Sequence, residues 1–139
     1  MTEVRIGFSF VHRCQDLPNL SGSLMAKNYP ELYEHLQALT GRLGADMPDT
    51  IGGFTSLHHA ATAEGALSAR TKELAALGIA VAVRCDGCIA YHVHDALAAG
   101  ATKDEIVEII GVAILMGGGP ALMYGAEAYE ALEQFSAVS

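Results

Sequence analysis

From Leu74 to Val83 the chain reads LAALGIAVAV, ten residues that are all apolar or glycine. A helix that is hydrophobic on every face is buried on every face. Ten residues are too few to cross a bilayer, which takes about 20. Ser68 stands where an N-cap belongs, so we expect a helix from there to about Arg84, enclosed on all sides. A second segment, with Ile106, Val107, Ile109, Ile110, Val112, Ile114 and Leu115, is nearly as apolar. A chain of 139 residues has little interior in which to hide two such helices. The expectation is a homo-oligomer whose subunits cover them.

The remaining pattern is also helical. Pro30 opens a helix at its favoured first position, with Leu32, Leu36, Leu39 and Leu43 at helical spacing and Gly44 as a stop. A second helix is expected from about Asp49 to Gly65. Asp86 is placed to cap a fourth, which stops at Gly100. Thr102 and Glu105 make a capping box for a fifth, which ends in Gly117-Gly118-Gly119-Pro120. A sixth runs to about Phe135. Residues 1–29 are aperiodic, and Ile6, Phe8 and Phe10 alternate with no second strand to pair with, so an extended arm is expected there. The reading is an all-α bundle of about six helices over 30–139, behind an N-terminal arm.

Charge excludes some functions. The net charge is −8 with eight basic residues and no basic cluster, which argues against nucleic acid, because phosphate binding needs concentrated positive charge. MTEVRIGFSF has no basic region followed by a long apolar run, so neither a secretory leader nor a membrane span is expected. The expected setting is cytoplasmic. The cysteines are Cys14, Cys85 and Cys88. An odd count with one tight pair is not a secreted disulfide framework. In a reducing compartment such a pair is catalytic or metal-binding more often than structural.

The pair lies in CDGCIAYHVH. On a helix turning about 100° per residue, Cys85, Cys88 and His92 share one face, and His94 lies opposite. A helix start favours negative charge, which lowers a thiol's pKa and raises its thiolate fraction. His92, one turn beyond Cys88, could accept the thiol proton. Glu73 adjoins the apolar run on the face of Leu77 and Ala80, where a carboxylate needs a partner. In a hairpin of helices about Cys85, Glu73 lies roughly 18 Å back and His92 roughly 10 Å forward, so only side-chain reach and helix crossing would join them. A Glu–His contact would orient the imidazole, as the third member of a triad does.

Other readings stay open. The cysteines could be inert core residues. With His92 they could hold zinc, although no second Cys/His cluster stands nearby. His58 and His59 point about 100° apart and are read as surface or core histidines. Gly117–Pro120 lacks a phosphate-loop ending and is read as an inter-helix turn. Cys14 is read as incidental. Met116, Met123 and Tyr124 are read as core.

Glu73, then Cys85-x-x-Cys88-x-x-x-His92 twelve residues on, resembles the core signature of AhpD-like alkylhydroperoxidases of the carboxymuconolactone decarboxylase superfamily. The flanking GALSARTKELAALGIAVAVRCDGC and HDALAAGATKDEIVEIIGVAILMGGGPALMYGAEA fit as well. The resemblance implies an all-helical domain over 30–139, assembled as a homohexamer or a trimer. It implies Cys88 as the peroxidatic thiol, Cys85 as the resolving thiol, and His92 with Glu73 as the proton relay, with no metal, haem or other cofactor. It implies a hydroperoxide as substrate and a dithiol as reductant, a lipoylated protein being one candidate. Gly87 stands where the best-known peroxidases of the family carry a further histidine. The rivals are a decarboxylase-like lyase acting on a cyclic acid through His92 and Glu73 without sulfur, and a non-enzymatic or zinc-binding oligomeric module.

Overall fold

The computed structural model describes residues 26–138, so Cys14 and nearly all of the expected arm lie outside it. Five helices follow in order: α1 Tyr29–Asp46, α2 Pro48–Thr62, α3 Ala69–Val83, α4 Asp86–Ala98 and α5 Lys103–Val138. There is no strand among the described residues.

Local chemistry accounts for most of the boundaries. Asn28 caps α1 by accepting from the Glu31 N–H at 3.1 Å, and Pro30 occupies the first turn. The helix passes Gly44 and stops at Asp46, because Pro48 pushes Met47 out of the helical region. Ser68 caps α3 through the Thr71 N–H. Thr102 and Glu105 bond reciprocally at the start of α5, as a capping box does. At the end of α4, the Gly100 and Ala101 N–H groups return to the carbonyls of Leu97 and Ala96. Gly100 is left-handed there, with φ 85°, the arrangement of a Schellman motif.

Five helical spans are found where six helices were expected, because the last two expected helices are the two arms of α5, which meet at the triple glycine. Gly118 breaks the run with φ 65° and ψ −153°, a conformation open in practice only to glycine. The two arms fold against each other: a Cβ at Gly125 would stand 2.9 Å from Ile110 Cγ2 and 3.2 Å from Ile114 Cδ1. By length and composition α5 could cross a membrane, but the break means that it is not one straight rod.

The core lies among α3, α4 and the two arms of α5. Leu77, Val81, Ile89, Val93, Ile106 and Leu132 are fully buried. Small residues bring the helices together. A Cβ at Gly78 would sit 3.4 Å from Ile109, and Gly117 lies against Ala82. The expectation that α3 is enclosed on every face is not met in the protomer: Ile79 and Val83 are 63% and 62% exposed. Only the side carrying Leu77, Ala80 and Val81 packs inward. Leu115, Met116 and Met123 of α5 are exposed too, so the two methionines are not core. The chain ahead of α1 is fastened to the end of α5. The Tyr29 N–H donates to Gln134 Oε1, Gln134 Nε2 donates to the Lys27 carbonyl, and Lys27 pairs with Glu127 and Asp86.

Candidate functional site

Cys85 is the joint between α3 and α4. Arg84 turns left-handed, with φ 64°, and the Arg84 and Cys85 N–H groups close the end of α3 on the carbonyls of Val81 and Ala80. The Cys85 side chain then caps α4, its Sγ accepting from the Cys88 N–H at 3.2 Å. Asp86, expected as the cap, is the first helical residue instead. A sulfur can fill the capping position because the sharp turn at Arg84 aims it at the open N–H groups. Cys85 and Cys88 are joined by a disulfide with a Cα–Cα distance of 5.2 Å. Both are partly buried. A Cβ at Gly87 would press on Leu36 Cδ1 at 2.9 Å, so any side chain at 87 requires α1 to yield there.

Glu73 and His92 meet. Glu73 Oε2 lies 2.8 Å from His92 Nδ1, despite the axial offset expected between them. Glu73 is 5% exposed, and His92 is its hydrogen-bond partner. An ionised carboxylate can only accept, so a neutral imidazole beside one carries its proton on Nδ1 and keeps a lone pair on Nε2. The structure thus joins Glu73 to His92 and Cys85 to Cys88, with Cys88 and His92 on one face of α4.

Two further residues enter the neighbourhood. The His58 ring of α2 is 6.4 Å from the His92 ring. One ligand atom each from His58, Glu73 and Asp95 lie within 4.8 Å of one another. These are a nitrogen and two carboxylate oxygens, donor kinds that a divalent cation also takes. From the sequence His58 is read as a surface or core histidine, and Asp95 is not singled out. Asp95 was within reach, since Cys88, His92 and Asp95 are spaced i, i+4 and i+7 on α4. Nothing in the sequence places His58, which depends on how α2 packs. His94 lies apart from the pair, as its helical phase requires. It stacks on Tyr33 at 4.2 Å between ring centroids and bonds Asp95 at 2.8 Å. Burial, with the nearby Asp95 carboxylate, raises the Tyr33 and Tyr91 hydroxyls above their usual range. An open groove is lined by Lys27, Asn28, Glu31, Leu32, His35 and Asp86, the last of which follows Cys85 in the chain.

Fold and site together define a small all-helical protein with a closed Cys-x-x-Cys pair at a helix start and a carboxylate–imidazole pair one turn further on. The chain belongs to the carboxymuconolactone decarboxylase family, whose model matches residues 48–131. An uncharacterised protein of Cupriavidus necator is 40% identical over 88 residues, which cover 63% of this chain and 78% of that one. Uncharacterised protein 4 of the cox locus of Paracoccus denitrificans is 38% identical over 95 residues, 68% of this chain and 83% of that one. The crystal structure of a family member from Legionella pneumophila superposes with a TM-score of 0.75 at 44% identity, over 78% of this chain and 96% of that one. A Thermotoga maritima family member, for which a part in antioxidative response has been suggested, gives a TM-score of 0.70 at 28% identity, over 78% and 92%.

Proposed function

We propose that the protein is a thiol-dependent peroxidase of the alkylhydroperoxidase type, cycling Cys85 and Cys88 between dithiol and disulfide. The observation that carries this reading is the 2.8 Å Glu73–His92 contact beside a closed cysteine pair. Glu73 holds His92 with its Nε2 lone pair available, and His92 takes the Cys88 proton. The Cys88 thiolate attacks the peroxide, the O–O bond breaks, and the departing alkoxide recovers the proton from His92. Cys88 is now a sulfenic acid. The Cys85 thiol attacks its sulfur, forming the disulfide and releasing water. A dithiol donor, such as a lipoylated protein, then reduces the disulfide and is itself oxidised to a disulfide. The groove lined by Asp86, next in the chain to Cys85, is an approach for it. Cys88 stands in the first turn of α4, where open N–H groups favour negative charge.

Assembly as a homohexamer, with a trimer next, belongs to the same reading, as does a cytoplasmic setting that supplies reductant. Leu115 and Met116 of α5, at 80% and 78% exposed, and Ile79 of α3 are apolar surface that a second subunit would cover.

Single-turnover kinetics tests the chemistry. Reduced wild type should lose two thiols per peroxide. Cys88→Ser should consume none, and Cys85→Ser should complete one stoichiometric turnover without cycling. A Cys88→Ser variant that reacts at the wild-type rate would defeat the assignment. Turnover of a cyclic acid by alkylated protein would favour the lyase instead.

A further inference from the structure

We propose that the closed Cys85–Cys88 turn is the clasp that holds α1, and that opening the disulfide loosens α1. This rests on one part of the thiol chemistry above, that the pair opens and closes. The bond between Cys85 and Cys88 encloses two residues, Asp86 and Gly87, and both are contact points for α1 and the chain ahead of it. Lys27 Nζ lies 2.9 Å from Asp86 Oδ1. Leu36 of α1 lies against Gly87, where an added Cβ would stand 2.9 Å from Leu36 Cδ1. Within α1 only Tyr29 is buried. The other polar and ring contacts of this segment lead away from the cysteines. Lys27 and Tyr29 reach Glu127 and Gln134 of α5, and Tyr33 meets the rings of Tyr91, His94 and Phe135.

Reduction adds two electrons and two protons to the pair. The S–S bond breaks, and the donor dithiol closes into its own disulfide. The sulfurs then part from a bond of about 2 Å to non-bonded contact of about 3.5–4 Å. Cys88 is packed on the core, whereas Cys85 follows the left-handed turn at Arg84 and stands outside the helix as its cap. The Cys85 side of the loop is therefore the side that gives. Its sulfur accepts from the Cys88 N–H, so its movement alters the first turn of α4, where Asp86 and Gly87 stand. Lys27 and Leu36, fitted to the closed loop, lose part of that fit. By linkage, what the disulfide contributes to docking α1, docked α1 contributes to keeping the disulfide. The two redox forms then differ in shape at this face as well as in chemistry.

Hydrogen–deuterium exchange of the full-length protein reads this without peroxide. One sample is oxidised and the other is reduced with excess dithiothreitol. Amides of residues 32–40, within α1, should exchange about fivefold faster in the reduced sample, the upper worth of one partly exposed ion pair. Amides of residues 106–113, within α5, should not change. Cys85→Ser cannot close the bond and should exchange like reduced wild type even in oxidising buffer. Asp86→Asn leaves Lys27 its bond to Glu127 and should shrink the difference between redox states; adding Leu36→Ala should remove it. Equal exchange of α1 in the two wild-type samples overturns the proposal. A difference that Asp86→Asn leaves undiminished overturns it too, whether or not the double variant folds. Equal acceleration at 106–113 also overturns it, since the bond would then brace the whole fold. If wild type consumes no peroxide while α1 responds as stated, the peroxidase reading fails and the clasp stands. If it consumes peroxide while α1 is indifferent, only the clasp falls.

Discussion

The α1–α2 hairpin and the α3–α4–α5 block are built differently. In the block every helix has a fully buried side: Leu77 and Val81 on α3, Ile89 and Val93 on α4, Ile106 and Leu132 on α5. In the hairpin Tyr29 is buried at the start of α1, and α2 buries no residue completely. Phe54 and Leu57 of α2 are 67% and 64% exposed. Glu73, Cys85, Cys88, His92 and Asp95 all stand on the block, and His58 comes to them from the hairpin. The Glu73–His92 and Cys85–Cys88 contacts sit on the part with the most packing, and His58 sits on the part with the least.

The sharpest way to break this contrast is to cut one leucine from each part. Leu77→Ala should cost about 2–5 kcal/mol in urea denaturation, because it leaves a cavity in a packed interior. Leu57→Ala should change an isolated protomer by less than about 0.5 kcal/mol. A loss at Leu57 comparable with that at Leu77 would mean that α2 is covered by another subunit. The contrast would then belong to the protomer alone.

A smaller effect concerns how the hairpin is fastened. Burial, and then the hydrogen bond to Glu127, raise the Tyr29 hydroxyl well above its usual value. Lys27 is raised as well: burial alone would lower it, but Glu127 and Asp86 outweigh that. For both groups the folded state holds the proton more tightly than the unfolded chain. Their stabilisation is therefore complete below the unfolded pKa, near 10, and is lost as pH rises above it. Tyr29→Phe should remove about 1 kcal/mol at neutral pH and flatten the alkaline decline. Denaturation at pH 7 and pH 10.5 checks both. A decline as steep in the variant as in wild type would place its cause elsewhere.

The smallest effect is a gain. Arg84 is the single non-glycine residue with positive φ among those described. Arg84→Gly should stabilise by up to about 1 kcal/mol, less the extra freedom that glycine gives the unfolded chain. A thermal melt that drops would show that the Arg84 side chain contributes more than its backbone strain costs.

Local signals in the sequence held where the physics was local. Ser68, Pro30 and the Thr102–Glu105 box mark helix starts because capping involves residues within one turn. The helical phase of Cys88 and His92, and the need of Glu73 for a partner, were legible for the same reason. Cys85 as a cap was not, since thiols are rare there and only the left-handed turn at Arg84 puts the sulfur in place. The apolar run from Leu74 to Val83 says that all faces avoid water, but not which are covered within one protomer. His58 carries no signature, because its proximity to Glu73 arises from the packing of α2 and not from any spacing along the chain.

The break at Gly118 has a consequence for the order in which the molecule forms. Ile110 and Gly125 meet across a short stretch of chain, and closing so short a loop takes on the order of 100 ns and little entropy. Tyr29 and Gln134, by contrast, meet across 105 positions. We predict that the arms of α5 close on each other early in refolding, while α1 docks last. In pulse-labelled hydrogen exchange, amides around Ile110 and Ala128 should gain protection before those of α1. A non-glycine residue at Gly118 should slow that first step, because the chain would have to enter a conformation its side chain resists.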